Sequence, residues 1–181
     1  MNISDRHLLE SLLHAGIARL CEDVHRRGLR ITGFSLCTDD EHTTLFHVAT
    51  ALTVRGVAEP AEFRRTRSLE LVGRTRWAVP VDWEFVSEPA RIEFDAASDI
   101  LSKARQQGEE FDAYREEVFS LVCDCLSQSR SQLERVADSS LELLLLFIST
   151  GGLDEPRDLK MARRLNSDAL TSQWRQAVFA R

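Results

Sequence analysis

Asp39-Asp40-Glu41-His42 sets three carboxylates beside an imidazole in four consecutive residues. Such groups suit general acid–base chemistry when a water-excluding cleft and a partner set their ionisation. They equally suit a polar hairpin turn, in which Asp favours local backbone hydrogen bonds, and that is the reading taken here. The alternative is an enzyme of unknown reaction that draws on this turn together with Asp82 or Glu84. Cys123 and Cys125 flank Asp124 like a chelating pair, but on a helix positions i and i+2 point about 200° apart, so the thiols diverge. His7, His14 and His25 fall on nearly one helical face. At ~1.5 Å rise per residue, seven residues span ~10 Å, too far for two nitrogens each ~2 Å from one zinc ion. Gly151-Gly152 before a helix suggests a phosphate site, yet Asp154 and Glu155 would meet any anion there. No GxSxG, P-loop or GxGxxG motif occurs. The expectation is no catalytic residue, no metal and no cofactor.

A different chemistry is offered by Asp82-Trp83-Glu84-Phe85, which alternates acid and aromatic. In an extended segment Trp77, Trp83 and Phe85 share one face, while Asp82 and Glu84 take the other. Aromatic anchors flanked by acids suit a protein interface; the plainer reading is that the tryptophans cap the core. Asp39, Asp40, Glu41, Trp83 and Glu84 are the residues expected to meet a partner.

The elements that would position these groups form an α+β fold in a single domain over residues 1–181. A first helix, capped by Ser4 or Asp5, carries Leu9, Leu12, Leu13, Gly16, Ile17, Leu20 and Val24 at helical spacing and stops at Gly28. Two strands at about 29–38 and 43–52 flank the acidic turn as a hairpin. Glu59-Pro60 opens a short helix through Phe63 to Leu71, broken at Gly73, and an edge strand falls within 76–86, on either side of Pro80. Helices near 92–107 and 111–136 make an antiparallel pair. The run Leu141 to Thr150 reads as the central strand of a small, mostly antiparallel sheet, covered on both faces. Asp154 caps a helix ending near Asn166, and a last one runs from Asp168 to Phe179.

The net charge of −6 argues against non-specific nucleic-acid binding, which needs basic surface. Four cysteines within apolar patterns read as reduced and buried. The N-terminus does not read as a signal peptide and the longest apolar run is six residues, so no membrane association and a cytoplasmic location are expected.

Three stretches, taken in order, resemble the bacterial domain-of-unknown-function 4303 family. They are GFSLCTDDEHTTLFHVATA, with its paired strands around TDD; TRWAVPVDWEFV, with Trp77, Trp83 and Glu84 on the matching positions; and LELLLLFISTGGLDEPRDLKMARRLNS, with Arg164, Leu165 and Asn166 at its end. Ala51 or Thr53 stands where the family often has Asn, and Pro80-Val81 alters the spacing between the tryptophans. The resemblance implies an immunity protein that neutralises a cognate toxin domain by stoichiometric binding, with no catalytic residue to carry over. A structural or regulatory subunit, using the helical pair as an oligomer interface, is a further alternative.

Overall fold

Asn2 caps the first helix, two residues ahead of Ser4 and three ahead of Asp5. Its side chain accepts the Asp5 N–H, and the helix α1 runs Ile3–Arg26. In this computed structural model, residues 1–53, 83, 85–106, 110–150 and 154–179 are described, with the backbone alone at 50–53. The expected helix after Glu59, the tryptophan Trp77, the Pro80 break, Asp82 and Glu84 lie outside them. Leu9, Leu13, Gly16, Ile17, Leu20 and Val24 form the buried stripe of α1. Gly28 ends it at φ 66, a left-handed position that costs glycine nothing, with its N–H bonded to the His25 carbonyl.

β1 (Leu29–Thr38) and β2 (Leu45–Thr53) pair antiparallel as the expected hairpin, with a register shift between Ile31 and Gly33. Helices α2 (Glu88–Gln106) and α3 (Phe111–Glu134) follow, then β3 (Leu144–Ser149), α4 (Glu155–Leu165) and α5 (Asp168–Phe179). The protein is thus α+β, with five helices and a three-stranded sheet among the described residues.

Two details of the sheet differ from expectation. The strand order is β2-β1-β3, so β1 is central and the Leu-rich β3 is not. β3 also runs parallel to β1, from Gly33 opposite Leu144 to Thr38 opposite Ser149, making the sheet mixed. β1 and β3 are not consecutive: β2 intervenes, and helices α2 and α3 lie on the connection from β2 to β3. Eight successive residues of β1, Ile31 to Thr38, are buried, as a strand paired on both edges and covered on both faces requires.

β3 is fully buried at a sheet edge because α4 covers it. Asn166, the C-cap of α4, accepts the Leu145 N–H at 2.9 Å and donates to the Leu145 carbonyl at 2.8 Å. The Met161 sulfur lies 3.2 Å from the Phe147 nitrogen. An edge that would otherwise expose a row of backbone groups is thereby closed. On the opposite edge, Ala49 and Phe85 exchange two backbone hydrogen bonds, a rudiment of the expected edge strand. One contiguous apolar core joins the sheet and all five helices.

Candidate functional site

The acidic turn is exposed and pinned. Asp39 accepts hydrogen bonds from the Thr43 N–H and hydroxyl and from the Thr44 N–H. Burial alone would raise its pKa, but these bonds prevail and hold it below the usual carboxylate value. Asp40 accepts from the Ser149 hydroxyl at 2.6 Å, tying the turn to the end of β3, where the Thr150 N–H also donates to the Thr38 carbonyl. Glu41, whose side chain is 62% exposed, meets Arg105 of α2 at 3.3 Å.

His42 departs from its neighbours. It takes a positive φ of 54, a region that His enters more readily than bulky apolar residues, and this turns its ring inward until it is only 2% exposed. The ring stands edge-on to Phe147 of β3 at 5.9 Å. Neither ring nitrogen has a hydrogen-bond partner. Burial, then the nearby charges of Arg115 and Arg157, drive its pKa down to about 4 against the opposing pull of Asp39 and Asp40, so the imidazole is neutral at pH 7.

The backbone at His42 is anchored by Tyr114 of α3. Its hydroxyl donates to the His42 carbonyl at 2.8 Å and approaches the Leu101 carbonyl of α2 at 3.1 Å. One fully buried phenol thus joins the turn to both helices. Tyr114→Phe is expected to lower the stability measured by urea unfolding by about 1–2 kcal/mol, because buried carbonyls lose their donor.

His42 lines an open cleft of about 220 Å³. Asp112, Arg115, Glu116 and Phe119 of α3, Arg157 of α4 and its cap Asp154 line it too. It opens where β1 and β3 end side by side, at the carboxyl end of the parallel pair, a common place for ligands in sheets with parallel strands. At the start of α4, Asp154 accepts from the Arg157 N–H, and Asp158 accepts from the Asp154 N–H. Asp158 is buried, which raises its pKa despite the Arg157 guanidinium at 3.2 Å. The Gly151-Gly152 stretch lies outside the described residues, and Asp154, which follows it, is one of the residues lining the cleft.

Four of the five expected contact residues are described. Asp39, Asp40 and Glu41 share the turn. Trp83 is 6% exposed within the apolar core, so it caps the core and offers no anchor, a correction to the interface reading of that side chain. Glu84 lies outside the described residues. Sequence reading missed Arg115, Phe119 and Arg157, which join His42 only through packing.

The remaining candidates are dispersed. His7 and His25 are exposed, while His14 is half-buried with its Nδ1 3.0 Å from the Ser129 hydroxyl. Cys123 neighbours Arg164 and Lys160 on α4, whereas Cys125 neighbours Glu10 and Arg6 on α1, so the two thiols do diverge. All four cysteines are free and buried, and burial raises their thiols to about 11 or 12. Among the described residues no three His, Cys, Asp or Glu side chains gather as a metal site, and no helix is long and apolar enough to cross a membrane. No family model, curated protein or solved structure matches the chain.

Proposed function

We propose that the chain is a non-enzymatic cytoplasmic binding protein, an immunity protein that neutralises a bacterial toxin domain by stoichiometric association. The observation that carries this reading is the turn at Asp39 to Glu41, which is acidic, projects at the hairpin tip and is held by hydrogen bonds or ion pairs to Thr43, Ser149 and Arg105. A rigid charged surface loses little conformational freedom on binding, and so keeps more of its contact energy. Phe46, 42% exposed just beyond the turn, adds an apolar contact. The net charge of −6 favours fast encounter with a basic partner. The order of the TDD, tryptophan and Arg164-Leu165-Asn166 stretches supports the same reading through the resemblance they carry.

Co-expression with the protein encoded beside it, followed by co-purification and a growth assay, tests the proposal. A one-to-one complex and restored growth are expected. The double charge reversal Asp40→Lys with Glu41→Lys is expected to slow association about tenfold or more, with a steep dependence on salt. Absence of both complex and rescue removes the immunity reading.

A further inference from the structure

We infer that His42 is a pH-sensitive latch on the acidic turn: its inward-turned ring holds residues 39–42 against β3, and protonation of the ring releases that turn while the rest of the fold stands. The inference concerns the free protein and is independent of toxin binding.

Its first basis is how the ring is held. Both ring nitrogens are buried and without a hydrogen-bond partner, so solvent in the cleft does not reach them. A neutral imidazole leaves one N–H open in this position, whereas an imidazolium leaves two and carries a full charge. Burying an unpaired charge costs far more than burying an unpaired polar group. A proton on His42 therefore penalises the closed position and not the solvated one.

The second basis is the set of groups around the ring. Arg115 on α3 and Arg157 on α4 oppose a proton there, and Asp39 and Asp40 on the turn favour it. Neither aspartate bonds the ring: Asp39 is engaged by Thr43 and Thr44, and Asp40 by Ser149. Asp112 and Glu116 of α3 and Asp154 at the start of α4 line the same cleft, and none of them is bonded to the ring nitrogens. Asp158 pairs with Arg157 at 3.2 Å. α2 faces the turn with Arg105, tied to Glu41. From β3 the ring meets Phe147, which carries no charge. Burial first, and then the two guanidinium groups, prevail over the aspartates, so the ring takes its proton only near pH 4 while the turn is closed.

The third basis is the backbone. Among the described residues His42 is the one non-glycine with a positive φ. Such conformations persist where the surroundings impose them, and they gather at switch segments. Here the Tyr114 hydroxyl holds the His42 carbonyl, the Ser102 hydroxyl holds the Thr43 carbonyl and the Ser149 hydroxyl holds Asp40. The β1–β2 pairing ends at Thr38 and Leu45, so the tip can leave with the ladder intact.

Amide hydrogen exchange of the full-length protein, followed by NMR from about pH 7 to about pH 4.5 and corrected for the intrinsic pH dependence, tests the latch. The reporting amides are His42, bonded to the Asp39 carbonyl, and Thr43, bonded to the Asp39 carboxylate. Amides of β1 report global unfolding. Protection of the turn is expected to be lower than that of β1 and to fall by up to about tenfold per pH unit, the signature of one proton taken up on release. β1 is expected to fall more steeply, because His47 also takes up a proton on global unfolding. Asp39 protonates below this window and does not add to the slope. In His42→Asn, a residue that tolerates the left-handed backbone, turn protection is expected not to change with pH. Turn amides that follow β1 in both protection and slope overturn the latch, as does a turn slope that His42→Asn retains. A wild-type ring that titrates near its ordinary value of about 6.5 while the turn stays protected overturns it too. The wild-type measurements decide the matter even where the variant does not fold.

Discussion

Between about pH 6.5 and pH 4 the folded protein is expected to lose stability at a slope approaching about 2.7 kcal/mol per pH unit, the contribution of two protons taken up on unfolding. The two sites are His42 and His47, each held down to about 4. For His42 the causes are burial and then the charges of Arg115 and Arg157, opposed by Asp39 and Asp40. For His47 the main cause is again burial, with Asp95 and Arg91 of α2 exerting opposing electrostatic effects. Its Nε2 also accepts the Ser87 N–H at 2.9 Å, an arrangement that exists only while that nitrogen carries no proton. Its ring lies against Phe94 at 4.7 Å, a surface with no room for a hydration shell.

The direction follows from which state holds more protons. An unfolded histidine takes its proton near pH 6.5, the buried ones only near 4, so within that window the unfolded chain binds more protons and acid favours it. The stabilisation is complete above the window and has gone below it. Integrated across the window each residue accounts for about 3 kcal/mol, a large share of the ~5–15 kcal/mol that holds an ordinary domain together. Asp23 and Asp39 add their loss lower down, where carboxylates with depressed pKa values protonate. For Asp23 burial opposes the shift, and hydrogen bonds from Arg26, Arg27 and Ser87 outweigh it. Asp158 acts in the opposite sense, because a raised carboxylate relieves its own cost as pH falls. Urea melts at a series of pH values measure the slope. His42→Asn tolerates the left-handed backbone, and His47→Gln retains an acceptor for Ser87. Each is expected to remove about half of the slope, and an unaltered slope in both variants sinks the assignment.

The same two histidines show where local sequence stops being informative. Patterns within one element were legible: the α1 stripe, the hairpin and the Asp154 cap all follow from spacing and cap chemistry. The ranking of strands was not. A run of leucines made β3 look like the centre of the sheet, yet its outer edge is buried by Asn166 and Met161 of α4, a contact that no periodicity in β3 encodes. β1, with Gly33, Ser35 and Thr38 among its residues, looked less apolar but is the central strand. The Asp39–His42 turn was legible as a turn, but not the inward rotation of His42, which depends on one positive φ and on Tyr114 from a distant helix. Arg115 and Arg157 sit among ordinary polar helix positions. Nothing in either helix alone marks them as lining one cleft.

Gly16→Leu is expected to cost about 3 kcal/mol or more, at the upper end of overpacking penalties in a filled core. A Cβ at position 16 would stand 2.8 Å from Cζ of Phe94 and 3.0 and 3.1 Å from its Cε atoms. Phe94 has no free space to retreat into: it is fully buried, and its ring lies against His47. Glycine is thus the residue that lets α1 and α2 approach here, and it does so against its own helix propensity, about 1 kcal/mol worse than alanine. The two terms make the alanine variant the sharper test. Gly16→Ala is expected to destabilise by up to about 2 kcal/mol, the overpacking cost less the propensity gain. With Phe94→Leu the steric cost shrinks while the propensity gain stays, so the same Gly16→Ala change becomes neutral or stabilising. Urea unfolding of the four proteins closes the cycle, and a coupling of about 1–3 kcal/mol is expected for residues in direct contact. Equal effects of Gly16→Ala in both backgrounds would mean that Phe94 does not set the spacing of the two helices. A reversal of sign ties the glycine to the packing of α1 against α2 through Phe94.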